Sequence, residues 1–171
     1  DSEISGSNSV LSDLEIIQVV VEIIKELGLK NVKVKFSDRN FLNSVLEKAG
    51  VSEKDKSQVI TNIDKVDKIG PEKVLELIEG KGDLKIIGTL LSRAGDTETR
   101  LVEMSEYYTD RIEQIWEMVC ELDLQKFVEF DPSMARGLDY YTGMVMETFV
   151  ENSEIGSICS GGRYDNLLGM F

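Results

Sequence analysis

The hydrophobic period of this chain changes twice, and that limits the fold more than any single motif. In "NVKVKF", residues 31–36, Val32, Val34 and Phe36 alternate with Lys33 and Lys35, which is the period of a half-buried strand. From about Arg39 to Gln125 the apolar residues recur at helical spacing instead. From Lys126 onward the period returns to two, in "KFVEFDPSMA", "MVMETFV" and "IGSICSGG". A chain that begins a sheet, leaves it for a long helical stretch and comes back carries a helical unit inserted between strands of one sheet. The reading is α+β: a mostly antiparallel sheet with flanking helices, plus an inserted all-helical domain. The expected boundaries are 1–40, 41–125 and 126–171.

The pieces have local signals of their own. "DSEISG" alternates up to Gly6 and reads as the end of a strand. In "SDLEIIQVVVEIIKELG", Ser12 and Glu15 suit a capping box, in which each side chain satisfies a backbone N–H of the first turn. Leu14, Ile17, Val21 and Ile24 form the stripe of that helix, and Gly28 suits its left-handed end. Pro71 suits a first helical position, where a missing N–H costs nothing. "GDLKIIGTLLSRAG" is ambiguous. The pattern Leu101, Met104, Tyr108, Ile112, Ile115, Val119, Leu122 predicts one long amphipathic helix or two joined ones.

Composition removes several chemistries. The chain has no histidine, so it supplies no imidazole base, no histidine-containing triad and no histidine zinc ligand. Its two cysteines, Cys120 and Cys159, are spaced for neither a metal nor a redox pair, and read as reduced thiols. No apolar run reaches the roughly 18 residues a membrane helix needs. No leader pattern is visible, so the expected location is cytoplasmic, with no membrane partner. The net charge of −13 disfavours non-specific binding to phosphate backbones. The charge is uneven: Lys25 to Lys85 hold 13 basic and 11 acidic residues, against 6 and 21 elsewhere.

Two stretches can carry chemistry. The first is "RGLDYYTG", residues 136–143. It is either an aromatic-walled turn or the wall of a pocket for an anion and a polar ring. Arg136 offers a fixed cationic fork for phosphate or carboxylate. Tyr140 and Tyr141 offer flat apolar faces that end in hydroxyls. The second is "CSGGRYDNLLGMF", residues 159–171, which lacks the Gly-Lys-Ser/Thr of a phosphate-cradling loop. By itself it reads as a strand, a Gly-Gly turn and the start of a helix.

Together, "ARGLDYYTGMVMETF" and "GSICSGGRYDNLLGMF" closely resemble the catalytic domain of histidyl-tRNA synthetases, which are class II aminoacyl-tRNA synthetases. The first string matches that family's histidine motif, and the second its glycine-rich strand. "DSEISG" resembles the close of class II motif 2, and the helical block lies where the family carries its insertion domain. The resemblance implies an internal piece of the catalytic domain, expected not to activate histidine alone. It implies a ligase that uses ATP with Mg²⁺ to make histidyl-adenylate and then charges tRNA(His), working as a homodimer.

The resemblance also implies site roles. Arg136 corresponds to the residue that meets the α-phosphate and the histidine carboxylate. Tyr140 and Tyr141 border the bound histidine, Glu3 meets its imidazole, and Gly161 and Gly162 form a possible pocket floor. A neutral imidazole has one donor and one acceptor nitrogen, which suits a carboxylate paired with a phenol. Because a regular strand would send Tyr140 and Tyr141 to opposite faces, a turn or bulge is expected between Arg136 and Thr142. Asp139, Glu147, Arg163 and Tyr164 receive no catalytic role. Lys48, Lys54, Lys56, Lys65, Lys68 and Lys73 are candidates for tRNA phosphate contact, although Glu47, Glu53, Asp55, Asp64 and Asp67 interleave with them as on any solvated helix surface. Two other readings stand beside this one. One is a histidine-binding relative without catalysis, such as the regulatory subunit of ATP phosphoribosyltransferase. The other is an RNA-contacting helical module.

Overall fold

The structure is a computed structural model, and it describes residues 1–135, 140–151, 153, 155–166 and 169. Helix α1 (Val10–Glu26) buries Leu14, Ile17, Val20, Val21 and Ile24, the stripe expected from their spacing. It starts earlier than the capping box predicts. The cap is Ser9, whose hydroxyl accepts from Leu11 N at 3.2 Å, while Ser12 Oγ donates to Ser7 Oγ at 2.7 Å. With Ser9 as the cap, Asp13 falls at the end of the first turn rather than at its first position, and it is buried. The other end is a Schellman close. Gly28, at φ 65°, donates to Lys25 O and Leu29 donates to Ile24 O.

Strand β1 (Val32–Asp38) buries Val32, Val34 and Phe36 and continues directly into α2 (Arg39–Lys48). Asp38 makes that junction: its Oδ1 accepts from Asn40 N at 2.7 Å and Phe41 N at 3.3 Å. There follow α3 (Glu53–Ile63), α4 (Val66–Ile69), α5 (Pro71–Leu77) and α6 (Leu84–Ser92). Pro71 opens α5 as expected, and the ambiguous stretch resolves as α6, capped by Asp83. The long pattern near residue 100 resolves as two helices, α7 (Thr97–Glu103) and α8 (Asp110–Glu121). Thr109, extended at φ −89° and ψ 159°, starts the second one afresh.

Strands β2 (Val128–Phe130), β3 (Met144–Val150) and β4 (Cys159–Gly162) complete a four-stranded sheet in the order β2-β1-β3-β4. Two pairings are antiparallel, but β1 and β2 run parallel, so the sheet is mixed. The parallel pair is possible because the whole helical block lies between those strands, and a parallel pair needs a long crossover. Residues 1–9 do not form the strand that their alternation suggests. They are exposed and pair with no strand among the described residues. Alternation supplies a face, but a strand also needs a neighbour's N–H and C=O groups.

The register sorts the sheet into rows. Phe36 sits opposite Phe130 on one side and Met146 on the other. Phe36, Phe41 and Phe130 are fully buried, and their rings meet edge-on or tilted at 5.4–5.6 Å. Helix α1 packs against α8 and β1, and α2 against β1 and α6. One continuous buried cluster therefore includes Ile17 of α1, Ile63 of α3, Leu90 of α6 and Met146 of β3. Among the described residues no helix is long and apolar enough to cross a membrane.

Candidate histidine-binding site

The end of the β3–β4 pair positions the tyrosine motif. Arg163 N donates to Met144 O at 2.7 Å and Thr142 N donates to Arg163 O at 2.8 Å, so the pairing runs one step past β4. Thr142 Oγ1 and Asp165 Oδ2 lie 2.8 Å apart, and Asp165 N donates to Thr142 Oγ1 at 3.0 Å. From the other side, Arg39 N donates to Gly143 O at 2.9 Å and Asn40 Nδ2 to Thr142 O at 3.1 Å. Residues 140–143 are thus fixed by both the start of α2 and the end of β4, without being strand themselves.

That irregular backbone places the rings of Tyr140 and Tyr141 beside each other, with centroids at 4.6 Å and planes tilted by 59°. A regular strand would separate them. Tyr164 closes the group, at 6.0 Å from Tyr140, edge to face, and 6.2 Å from Tyr141. Gly162 permits this packing. A Cβ there would lie 2.7 Å from the Tyr141 ring and 2.8 Å from Met144 O. At Gly161 a Cβ would meet only Met146 Cε, at an ordinary 3.6 Å. Gly162 is therefore the glycine that the aromatic group requires.

The remaining expected site residues fall differently. Arg136 and Asp139 lie outside the described residues. Glu3 is exposed in the unpaired opening segment and makes no hydrogen bond or ion pair among the described residues. Glu147 is half-buried on β3, opposite Lys35 in register. No group of three His, Cys, Asp or Glu side chains suited to a metal gathers among the described residues. The lysine candidates are mostly engaged locally. Lys56 pairs with Glu53, Lys73 with Glu76, and Lys48 reaches Glu106 O and lies 4.8 Å from the Tyr107 ring centroid.

Two charge clusters were not legible in the sequence. Beside the tyrosine turn, Asp13 accepts from Arg111 Nε at 2.6 Å and from Arg163 Nε at 3.0 Å. Burial works against the Arg163 charge, but Asp13 and Asp165 outweigh it and hold the guanidinium pKa above its ordinary value. At the junction of the sheet with the helical block, Asp131 lies 3.2 Å from both Lys35 Nζ and Arg93 Nε. Burial alone would raise the Asp131 carboxyl, but Arg93, Lys35 and the Ser133 hydroxyl together hold it below the usual carboxylate value. Arg93 also binds Asp67, in α4, and so links the helical block to the sheet. An acid in a first helical turn is commonplace, so nothing in the sequence marks Asp13 as special.

Comparison with known proteins agrees with the motif. The family model described as histidyl-tRNA synthetase matches residues 2–171. A histidine–tRNA ligase from Treponema denticola is 36% identical over 187 residues, covering 100% of this chain and 42% of that protein. One from Gloeobacter violaceus is 34% identical, covering 98% of this chain and 39% of its own length. The chain thus spans less than half the length of these curated relatives. The crystal structure of histidyl-tRNA synthetase from Nostoc sp. superposes with a TM-score of 0.84 at 28% identity, over 95% of this chain and 42% of that one. A Bacillus halodurans structure titled as an ATP phosphoribosyltransferase regulatory subunit/histidyl-tRNA synthetase superposes with a TM-score of 0.83, over 96% of this chain and 45% of that one. At 21% identity that likeness is one of fold alone. With the family model matched from its second residue to its last, this chain belongs to the histidyl-tRNA synthetase family.

Proposed function

We propose that this chain, within a protein of its relatives' length, forms the histidine-binding part of a histidine–tRNA ligase. The histidine carboxylate attacks the α-phosphate of ATP, the bond to the β-phosphate oxygen breaks, and pyrophosphate leaves. The 3′-terminal hydroxyl of tRNA(His) then attacks the activated carbonyl, and AMP leaves. The observation that carries this reading is the tyrosine group on Gly162, in a chain matched along its length by histidine–tRNA ligases. Tyr140 and Tyr141 wall the amino acid, and Gly161 and Gly162 supply its floor. Glu3 takes the imidazole N–H while a phenol serves the other nitrogen, so a ligand lacking either leaves a buried group unpaired.

Arg136 stabilises the charge that grows on the α-phosphate, since a preorganised guanidinium is worth most where charge develops. Mg²⁺ would accompany the phosphates of ATP and supply charge neutralisation there. Residues 41–125 act as the helical insertion domain and face the acceptor stem of the tRNA. The working form is a cytoplasmic homodimer. Identity to the curated ligases at 36% favours this reading over the regulatory-subunit one, whose support is fold alone.

The test is histidine-dependent ATP–pyrophosphate exchange, with L-histidine binding measured separately by calorimetry, on a protein of full family length. Exchange is expected in the parent, and Arg136→Ala is expected to abolish it while leaving histidine binding in place. Equal loss of both would make Arg136 a binding residue only. Histidine binding without any exchange in the parent would favour the regulatory reading.

A further inference from the structure

The histidine reading asks two distant segments to serve one ligand: the opening segment with Glu3 and the turn with Tyr140 and Tyr141. One side chain connects the supports of both. Arg163 Nη1 donates to Ser7 O at 3.0 Å and Nη2 to Ser9 O at 3.2 Å, which pins the opening segment. The backbone N–H and C=O of the same residue flank the tyrosine turn through Met144 and Thr142. Its aliphatic stem packs on that turn, since a Cβ on Gly143 would lie 2.9 Å from Arg163 Cδ. The next residue, Tyr164, touches both other tyrosine rings.

Asp13 orients this fork. It is 4% exposed, and it divides its two oxygens between Arg163 and Arg111. Arg111 Nη2 reaches Ser9 O at 3.3 Å, so two guanidiniums share a stretch of backbone that otherwise lies outside the sheet. Glu3 is four residues before Ser7, so an anchor at Ser7 keeps its backbone within about 13 Å of that point. A fork held by four partners, Asp13, Asp165 and the carbonyls of Ser7 and Ser9, fixes direction as well as distance, which a lysine cannot do.

We propose that Arg163, oriented by Asp13, is a positioning residue for L-histidine. It sets the spacing between the segment that carries Glu3 and the turn that carries the tyrosines. The proposal rests on the synthetase reading above. It differs from a plain structural staple in one respect: loosening the fork weakens histidine selectively and leaves ATP largely alone.

The experiment uses a protein of full family length. Arg163→Lys keeps the charge and removes the fork, and Asp13→Asn keeps the shape and removes the charge. Calorimetry gives the Kd for L-histidine, and pyrophosphate exchange gives KM for L-histidine and for ATP. Each variant is expected to raise both histidine constants about tenfold, as small misplacements do in a preorganised site, with the KM for ATP within about twofold. The double variant is expected to be no worse than the poorer single, because both act through one contact. Unchanged histidine affinity in folded variants overturns the proposal, as does an equal rise in both KM values. Should neither variant fold, the half-exposed Asp165→Asn, which removes one charged partner of Nη1 and leaves the bond to Ser7 O, decides by the presence or absence of a selective rise in histidine Kd. A parent that binds no histidine ends both this proposal and the synthetase reading. A parent that binds while every folded variant matches it ends only this one.

Discussion

Asp131 and Asp13 are both buried aspartates held between two cations, yet the two clusters are built for different ends. Asp131 is 1% exposed, and its partners are other side chains and its own turn: Lys35, Arg93, and the N–H and hydroxyl of Ser133. Among the described residues its carboxylate binds no backbone outside its own turn. It closes a junction between packed elements, where Arg93 also reaches Asp67. The arginines around Asp13 also donate to the carbonyls of Ser7, Asn8 and Ser9, the backbone that leads into α1 and pairs with no strand among the described residues. The first cluster joins parts that packing already brings together. The second gives position to backbone that packing leaves alone.

The largest effect expected from this contrast is at Asp131. Asp131→Ala removes the buried carboxylate that Lys35 and Arg93 share and leaves them only Glu129 and Asp67, at a cost of about 3 kcal/mol in urea or thermal unfolding. Asp13→Ala is expected to cost about half that in stability, because Arg111 and Arg163 keep their carbonyl partners. A larger loss at Asp13 than at Asp131 would reverse the comparison. The Asp131 cluster also responds to acid. The pKa of Asp131 lies below its unfolded value, so the native state binds its proton less tightly than the unfolded chain does. Its stabilisation is complete above the ordinary carboxylate value and is lost as pH falls through the lowered one.

Gly162→Ala lies between those two effects in size and disturbs the tyrosine turn beside Arg163 without removing a charge from either cluster. Its Cβ would meet the Tyr141 ring and a backbone oxygen below 3.0 Å, so about 2 kcal/mol of overpacking is expected. Near-ultraviolet circular dichroism should report the displaced tyrosines. An unchanged tyrosine signal with full stability would mean that the ring packing described above is not what that glycine serves.

The smallest effect, of opposite sign, is expected at Asp38. This third buried carboxylate caps α2 through Oδ1, but its Oδ2 has no hydrogen-bond partner among the described residues. Burial pushes its pKa up, against the pull of its two backbone donors and of Arg111. With the folded value raised, the stability it contributes is complete below the unfolded value and lost as pH rises through the folded one. Asparagine caps as well as aspartate and carries no charge. Asp38→Asn is therefore expected to stabilise by up to about 1 kcal/mol at pH 7, and by less near pH 4. Equal thermal shifts at both pH values would refute the assignment of burial as the cause.

Much of this molecule was legible as sequence. The alternation of Val32, Val34 and Phe36, the stripe from Leu14 to Ile24, Pro71 at a helix start and Gly28 at a helix end are one-dimensional facts, because each depends on neighbours within a few residues. The histidine motif was legible for the same reason, as a contiguous string. The opening segment misled, because "DSEISG" has the right alternation and no strand beside it among the described residues. The start of α1 misled too, because Ser9 and Ser12 are both good caps and only the surroundings chose between them.

By itself, the sequence determined the elements, the helical interruption of the sheet and the family. Only the tertiary structure decided that β1 and β2 run parallel, that Tyr164 joins Tyr140 and Tyr141 on Gly162, and that Asp13 meets Arg111 and Arg163 across 98 and 150 residues. Local preference is set by bonds and sterics within a turn or two. Which distant charges share a buried space is set by how the whole chain packs, and no short window of residues contains that information.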